Sequence, residues 1–162
     1  MKKILIASEF QEYFSADELP AQENELLTKA EEATQSAYAP YSELKVGAAI
    51  LLEDGRIICG SNQENAAYPA GLCAERVALF AASSQHPGKK IMAVAVAAFT
   101  GKRISQCTAA PCGSCRQVMA EYEMLYAQPI KIIFRGEGGK VLVAEGIKNF
   151  LPFAFSKKDL GK

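Results

Sequence analysis

The sequence predicts a three-layer α/β/α domain built around a mixed central sheet. Three observations carry that prediction. Runs of strand and helix character alternate in the order strand, helix, strand, helix, strand between residues 56 and 134, which is the order of two crossover units and implies a largely parallel core. Asp54-Gly55 separates two β-prone runs and adds one antiparallel strand through a tight hairpin. At 162 residues, with 49% apolar and 22% charged, the chain is long enough for one well-buried core.

Taken in order, Lys2 to Phe14 reads as an edge strand. Ser15-Ala-Asp-Glu18 has capping-box form, and Pro20 opens a helix-favouring run from Ala21 to about Ala37 with Leu26, Leu27, Ala30 and Ala33 on one face. Pro40 disfavours helical geometry at Ala39 and ends that run. Val46 to Leu52 and Arg56 to Cys59 form the hairpin. Cys73 to about Ser84 carries Val77, Ala78, Phe80 and Ala81 at helical spacing, and Ile91 to Phe99 is an apolar run of strand length. Another helix starts near Cys112 or Gly113, with Cys115, Val118, Met119 and Tyr122 on one side. The strand Ile130 to Phe134 follows, and Gly136 to Gly139 turns the chain into Val141 to Val143. No repeat, low-complexity segment or linker divides the chain, so residues 1–162 read as one domain, with 1–36 forming an N-terminal extension and the first helix.

Eighteen basic residues balance eighteen acidic ones, so no global field draws in a nucleic-acid backbone or an anionic membrane. A small neutral substrate fits better. The apolar run after the basic start is too short for a signal peptide, and no run reaches transmembrane length. Five cysteines make an odd set for a disulfide framework, which points to a reducing, cytoplasmic setting.

Three of these cysteines fall in two short motifs, Leu72-Cys-Ala-Glu-Arg76 and Pro111-Cys-Gly-Ser-Cys115. Both sit where a strand gives way to a helix, and open α/β sheets bind ligands beyond the carboxyl ends of their strands. Unpaired N–H groups and the positive dipole end at a helix start favour thiolate over thiol. Cys73, Cys112 and Cys115 as thiolates make a zinc site with its fourth position open to water, the mark of a catalytic rather than a structural zinc. Three thiolates on a dication leave the cluster formally near −1, so something must offset charge and something must take the water's proton. Glu75, on the same first helical turn as Cys73, is the natural base. Arg76 and Arg116 each follow a cysteine closely enough to donate to sulfur, and Arg76 is the preferred partner.

Other readings of the same residues stay open at this level. A lone C-x-x-C in an α/β protein is often redox-active, and a closed four-cysteine zinc site would recruit Cys59 or Cys107. Cys59 reads as a buried strand residue and Cys107 as a loop thiol. Asn62 and Glu64, in Gly60 to Gly71, offer a donor and acceptors suited to a sugar hydroxyl, or simply cap their own loop. His86, the one histidine, reads as a surface loop residue.

With these motifs in view, the sequence resembles the cytidine deaminase family, in its small homotetrameric, three-cysteine type. The segments that carry the resemblance are AYAPYSELKVGAAI, NQENAAYPAGLCAER, PCGSCRQVM and LPFAFSKKDL, in the family's order from about Ala37 to Leu160. The resemblance implies the cytidine deaminase-like form of the α/β/α fold, one zinc per subunit on Cys73, Cys112 and Cys115, and Glu75 as proton shuttle. It also implies that Asn62 and Glu64 hold the ribose, that the Ala74 backbone contacts the base, and that Phe155 stacks on the base in a neighbouring subunit's pocket. The implied reaction is hydrolytic removal of the 4-amino group of cytidine or deoxycytidine in pyrimidine salvage, by a homotetramer with shared active sites and with neither nucleic-acid nor membrane partners. Leu44 stands where the family commonly has phenylalanine, Ser114 where alanine is common, and Phe153 where a smaller residue is usual. Two rival readings are a deaminase of the blasticidin S type, which resembles this chain less in the ribose loop, and a zinc-bearing module without activity, which predicts a fourth protein ligand or a lost glutamate.

Overall fold

The computed structural model describes residues 1–100, 103–104 and 108–161. Its strands are β1 (Gln11–Tyr13), β2 (Leu44–Leu52), β3 (Ile57–Ser61), β4 (Ile91–Thr100), β5 (Arg103–Ile104), β6 (Lys131–Arg135) and β7 (Val141–Glu145), and its α-helices are α1 (Ala21–Ala33), α2 (Ala74–Gln85) and α3 (Gly113–Tyr126). The strands form one mixed sheet in the order β1-β7-β6-β4-β2-β3, with β5 added to β4.

The mixed sheet and the three layers are as expected, but the core is not largely parallel. Among the described strands β4 and β6 are the parallel pair, and β1–β7, β6–β7, β2–β4, β2–β3 and β4–β5 are antiparallel. The cause is topological. β3, α2 and β4 do form a crossover between strands of one direction, but β2 pairs with both and lies between them. Only the crossover through α3 joins neighbours.

Alternation along the strands separates two cores. Ala93, Ala95 and Ala97 of β4 face the layer of Leu26, Leu27 and Ala30 on α1, while Val94 and Val96 face Ala78, Leu79 and Ala82 of α2 and Met119 of α3. Each fully buried leucine or isoleucine contributes about 1.5–3 kcal/mol. Small residues set how closely the helices approach. A Cβ at Gly47 of β2 would lie 2.0 Å from Ala30 O of α1, and one at Gly60 of β3 would lie 2.5 Å from Ala78 N and 2.9 Å from Ala74 O of α2.

That close seat corrects the expected face of α2. Its buried residues are Ala74, Glu75, Ala78, Leu79 and Ala82, whereas Phe80 is 44% exposed and Val77 and Ala81 are half-buried. A helix pressed against a glycine must offer small residues at the contact, so Ala74 and Ala78 take it, Leu79 packs into the core beside them, and Phe80 turns outward. Cys59 is also corrected. It lies on the edge strand β3 and is exposed rather than buried, with its thiol directed at Lys29 O at 3.9 Å. Cys107 lies outside the described residues.

The N-terminal edge strand exists but is only three residues long, pairing with Val141–Val143 of β7. Ser15 makes no side-chain cap. Glu18 instead accepts from Phe14 N at 2.9 Å, closing a turn ahead of α1. α1 ends at Ala33, where the Thr34 hydroxyl donates to Glu31 O at 2.7 Å and competes with the helix ladder. The Asp-Gly hairpin forms as expected, with Gly55 at φ 85°, and β6 and β7 pair across Glu137–Gly139. His86 terminates α2, its Nδ1 accepting from the Arg56 guanidinium at 2.8 Å. No helix of the described residues is long and apolar enough to cross a membrane.

Gly60→Ala is expected to destabilise the protein by about 1–3 kcal/mol, the usual cost of overpacking, because both near atoms are helix backbone. Urea denaturation checks the stability, and the zinc content of the purified variant is expected to fall with it.

Candidate active site and metal centre

β3 and β4 run in the same direction, so α2 and α3 both begin beyond the same edge of the sheet. Cys73 is the N-cap of α2 and Cys112 the N-cap of α3, each with extended backbone and no side-chain cap bond, which leaves the sulfur free to face outward. Cys115 is buried in the first turn of α3. The Cys73 and Cys112 sulfurs are 3.7 Å apart, those of Cys112 and Cys115 3.4 Å apart, and all three lie within 4.8 Å of one another. Among the described residues no other histidine, cysteine or carboxylate joins the group.

The electrostatics of the cluster favour ionised sulfur at Cys73. The Cys115 thiol donates to it, the Arg76 guanidinium and the Cys112 thiol add to this, and together they outweigh burial and hold Cys73 far below the ordinary thiol range. Arg76 Nη2 lies 3.8 Å from Cys73 Sγ and 3.5 Å from Gly71 O. Arg116 points elsewhere, with Nε on Pro111 O at 2.7 Å and Nη1 on Phe150 O at 3.2 Å. Glu75 is 4% exposed. Burial pushes its carboxyl up, and the neighbouring Cys73 charge pushes it further, against the opposing pull of Cys115 and Arg76.

Cys73, Glu75, Arg76 and Cys112 line a cavity of about 690 Å³, a usual size for a small-molecule site. Asn62 and Glu64 stand on the same cavity wall. Both are already engaged. Asn62 Oδ1 accepts from Val46 N at 2.8 Å and its amide donates to Leu44 O at 2.9 Å. Glu64 accepts from Tyr41 N at 2.9 Å and from the Ser42 backbone and hydroxyl, and the Ser42 hydroxyl bond in particular holds its carboxyl below the usual range. Ala74 is fully buried, its carbonyl towards Gly60. Phe155 is 57% exposed and does not line the cavity, and its backbone is bonded at both N and O by the Gln117 amide.

Leu44 is on the cavity wall, whereas Ser114 and Phe153 are exposed away from it. Spacing alone gave no sign of Tyr41 and Tyr68, which meet edge to face at 6.4 Å beside the cavity, or of Gln117. All three lie within the segments quoted above, but only three-dimensional proximity gives them a task.

Residues 20–127 match the cytidine and deoxycytidylate deaminase zinc-binding region. The chain belongs to this deaminase family. The cytidine deaminase of Halalkalibacterium halodurans is 40% identical over 136 residues, covering 83% of this chain and 95% of the relative. That of Sporosarcina psychrophila is 42% identical, covering 83% and 92%. The crystal structure of cytidine deaminase from Burkholderia pseudomallei superposes with a TM-score of 0.68 at 41% identity, covering 81% of this chain and 97% of that one. The cytidine deaminase-like fold implied by the motifs is therefore the fold of this family member.

The donor set also fits the family's metal. A tetrahedron with Zn–S bonds of about 2.3 Å has edges of about 3.8 Å, and the 3.7 and 3.4 Å sulfur separations lie close to that edge. Three soft thiolate donors select zinc over hard cations, so the cofactor is one zinc ion held by Cys73, Cys112 and Cys115.

Stripped of metal by a chelator and treated with iodoacetamide at pH 7, the protein is expected to be alkylated at Cys73 at least about tenfold faster than at Cys59. Cys73 is held far below the ordinary thiol range, whereas partial desolvation beside Lys29 of α1 raises the Cys59 thiol even though the residue is exposed. Zinc is expected to protect Cys73 and not Cys59. Peptide mass mapping reads both.

Proposed function

We propose that this chain is a cytidine and deoxycytidine deaminase in which Glu75 moves the protons. The observation that carries the reading is a buried glutamate beside a three-sulfur zinc site on the wall of a cavity lined by Asn62 and Glu64. Held by the three thiolates, zinc supplies a water acidic enough to act as nucleophile near neutral pH.

Glu75 accepts a proton from the attacking water and gives it to N3 of the base as oxygen adds at C4, then takes the remaining proton from the new C4 hydroxyl and delivers it to the 4-amino group as the C4–N bond breaks. Water and cytidine thus become uridine and ammonia. A carboxyl raised by burial suits both halves of this task, since its proton affinity lies nearer the working pH. Arg76 offsets negative charge at Cys73, and the Ala74 backbone, at the start of α2, contacts the base. Asn62 and Glu64 bind the ribose hydroxyls. Their bonds to β2 and to Tyr41–Ser42 hold them in place before substrate arrives, and an amide and a carboxylate retain spare hydrogen-bonding capacity beyond those bonds.

The substrate is a nucleoside rather than its phosphate. The cation on the described cavity wall is Arg76, already set against sulfur, while Glu64 and Glu75 are carboxylates. A phosphate dianion would meet repulsion there. A homotetramer with shared sites is supported by Phe155, bonded outside its own cavity, and by the outward apolar stripe of Val77, Phe80 and Ala81 on α2. Reduced thiolates at the centre favour a cytoplasmic location in pyrimidine salvage. No observation favours the blasticidin S reading, and the three-ligand site with its glutamate in place speaks against a module that only binds.

Cytidine turnover, followed by the ultraviolet change as uridine forms, tests the reading. Glu75→Gln is expected to keep its zinc and lose about 10²–10⁴-fold in kcat. Equal turnover in the two proteins refutes the shuttle. Deoxycytidine is expected to be consumed and deoxycytidylate left intact, while Glu64→Gln is expected to raise KM by about tenfold, in line with loss of a hydrogen bond to a charged group.

A further inference from the structure

The first fourteen residues precede the matched region, yet they are bonded to the part of the fold that holds the Cys112 turn. Glu9 N donates to Asn149 Oδ1 at 2.9 Å. Phe10 sets its ring edge to face with Phe150, centroids 5.0 Å apart, and with Phe134 at 6.3 Å, and those two rings meet each other at 5.7 Å. Phe150 is also where Arg116 rests. Its carbonyl accepts from Nη1 at 3.2 Å, and its ring lies 5.5 Å from the guanidinium. Arg116 Nε then fixes Pro111 O at 2.7 Å, directly before Cys112. A continuous line of contacts runs from Phe10 through Phe150 and Arg116 to Pro111.

Resting on the zinc-dependent reading above, we infer that Phe10 is a positioning residue for the metal centre, because the N-terminal segment clamps Phe150 under Arg116 and so fixes the Cys112 turn. The attraction between a guanidinium and a ring depends on the ring presenting its face. Edge-to-face contacts from Phe10 and Phe134 hold the tilt of Phe150 that does so. Without Phe10 one support of that ring is lost, Arg116 gains freedom, and the carbonyl before Cys112 loses its fixed donor. Groups that orient a metal ligand without touching the metal commonly change its affinity by roughly 10–100-fold when removed, and Phe10 stands behind such a group.

The same segment supplies its own control. Glu12 pairs with Lys140 at 2.7 Å on β1, away from the Phe10–Phe150 line. The experiment follows zinc transfer from the loaded full-length protein to a chromophoric chelator, without substrate, with thermal unfolding recorded on the same samples. Phe10→Ala is expected to speed zinc loss at least about threefold, less than the loss of a direct ligand partner. Phe10→Leu, which keeps an apolar contact with Phe150, is expected to restore most of the slow rate, and Glu12→Gln to leave it unchanged. Zinc loss from Phe10→Ala at the wild-type rate, whatever its melting temperature, overturns the inference. So does equal acceleration by Glu12→Gln, which assigns the effect to fraying of the edge strand. Since no substrate is present, a failed cytidine assay counts against the proposed reaction and not against the clamp.

Discussion

Three cysteine sulfurs held within 4.8 Å of one another repel as they ionise, and much of the local structure answers that repulsion. Two helix starts supply unpaired N–H groups and positive dipole ends on the same side of the cluster. Arg76 brings a full charge to within 3.8 Å of Cys73, and zinc binding completes the compensation. Glu75 adds a carboxyl group to the same space, and burial together with the neighbouring Cys73 charge raises its proton affinity, which favours the neutral form there. The short distance between α2 and β3, possible because Gly60 has no side chain, fixes where Cys73 and Glu75 begin.

The polar residues of the cavity show a related arrangement. Asn62 and Glu64 each bond to backbone that lines the same cavity, so residues 41–46 and these two side chains hold one another in place. The two side chains bond to the segment at residues 41–46 rather than to their own loop, and the proposed binding of a ribose would use these same held groups. Side chains fixed in this way lose little conformational freedom when a ligand arrives.

Much of the site was legible because its signals are local. A cysteine beside a glutamate at a helix start, a second pair of cysteines at another, and an Asp-Gly hairpin between β-prone runs all depend on near neighbours in the chain. What was misread depends on packing between distant elements. Val77 and Phe80 have helical spacing with Ala78, but Gly60 on the facing strand seats Ala74 and Ala78, which turns the buried face towards Leu79 and leaves Phe80 outward. Cys59 has the surroundings of a core strand, but β3 lies at the edge of the sheet. Two crossovers suggested a largely parallel sheet, and the order of strands, with β2 between β3 and β4, has no local signature. Phe10 lies outside every motif, and only the fold brings it to Phe150.

β1 has a further consequence for behaviour in solution. β7 would otherwise end the sheet with a row of unpaired backbone donors and acceptors, the kind of edge on which a second chain can add as a strand. β1 occupies that row with three residues, Gln11, Glu12 and Tyr13, two of them exposed. A short strand carrying a charged residue is a poor template for further pairing. Loss of this small cover would therefore turn the end of the sheet into an adhesive surface, and the colloidal behaviour of the protein would change even where its folded core did not.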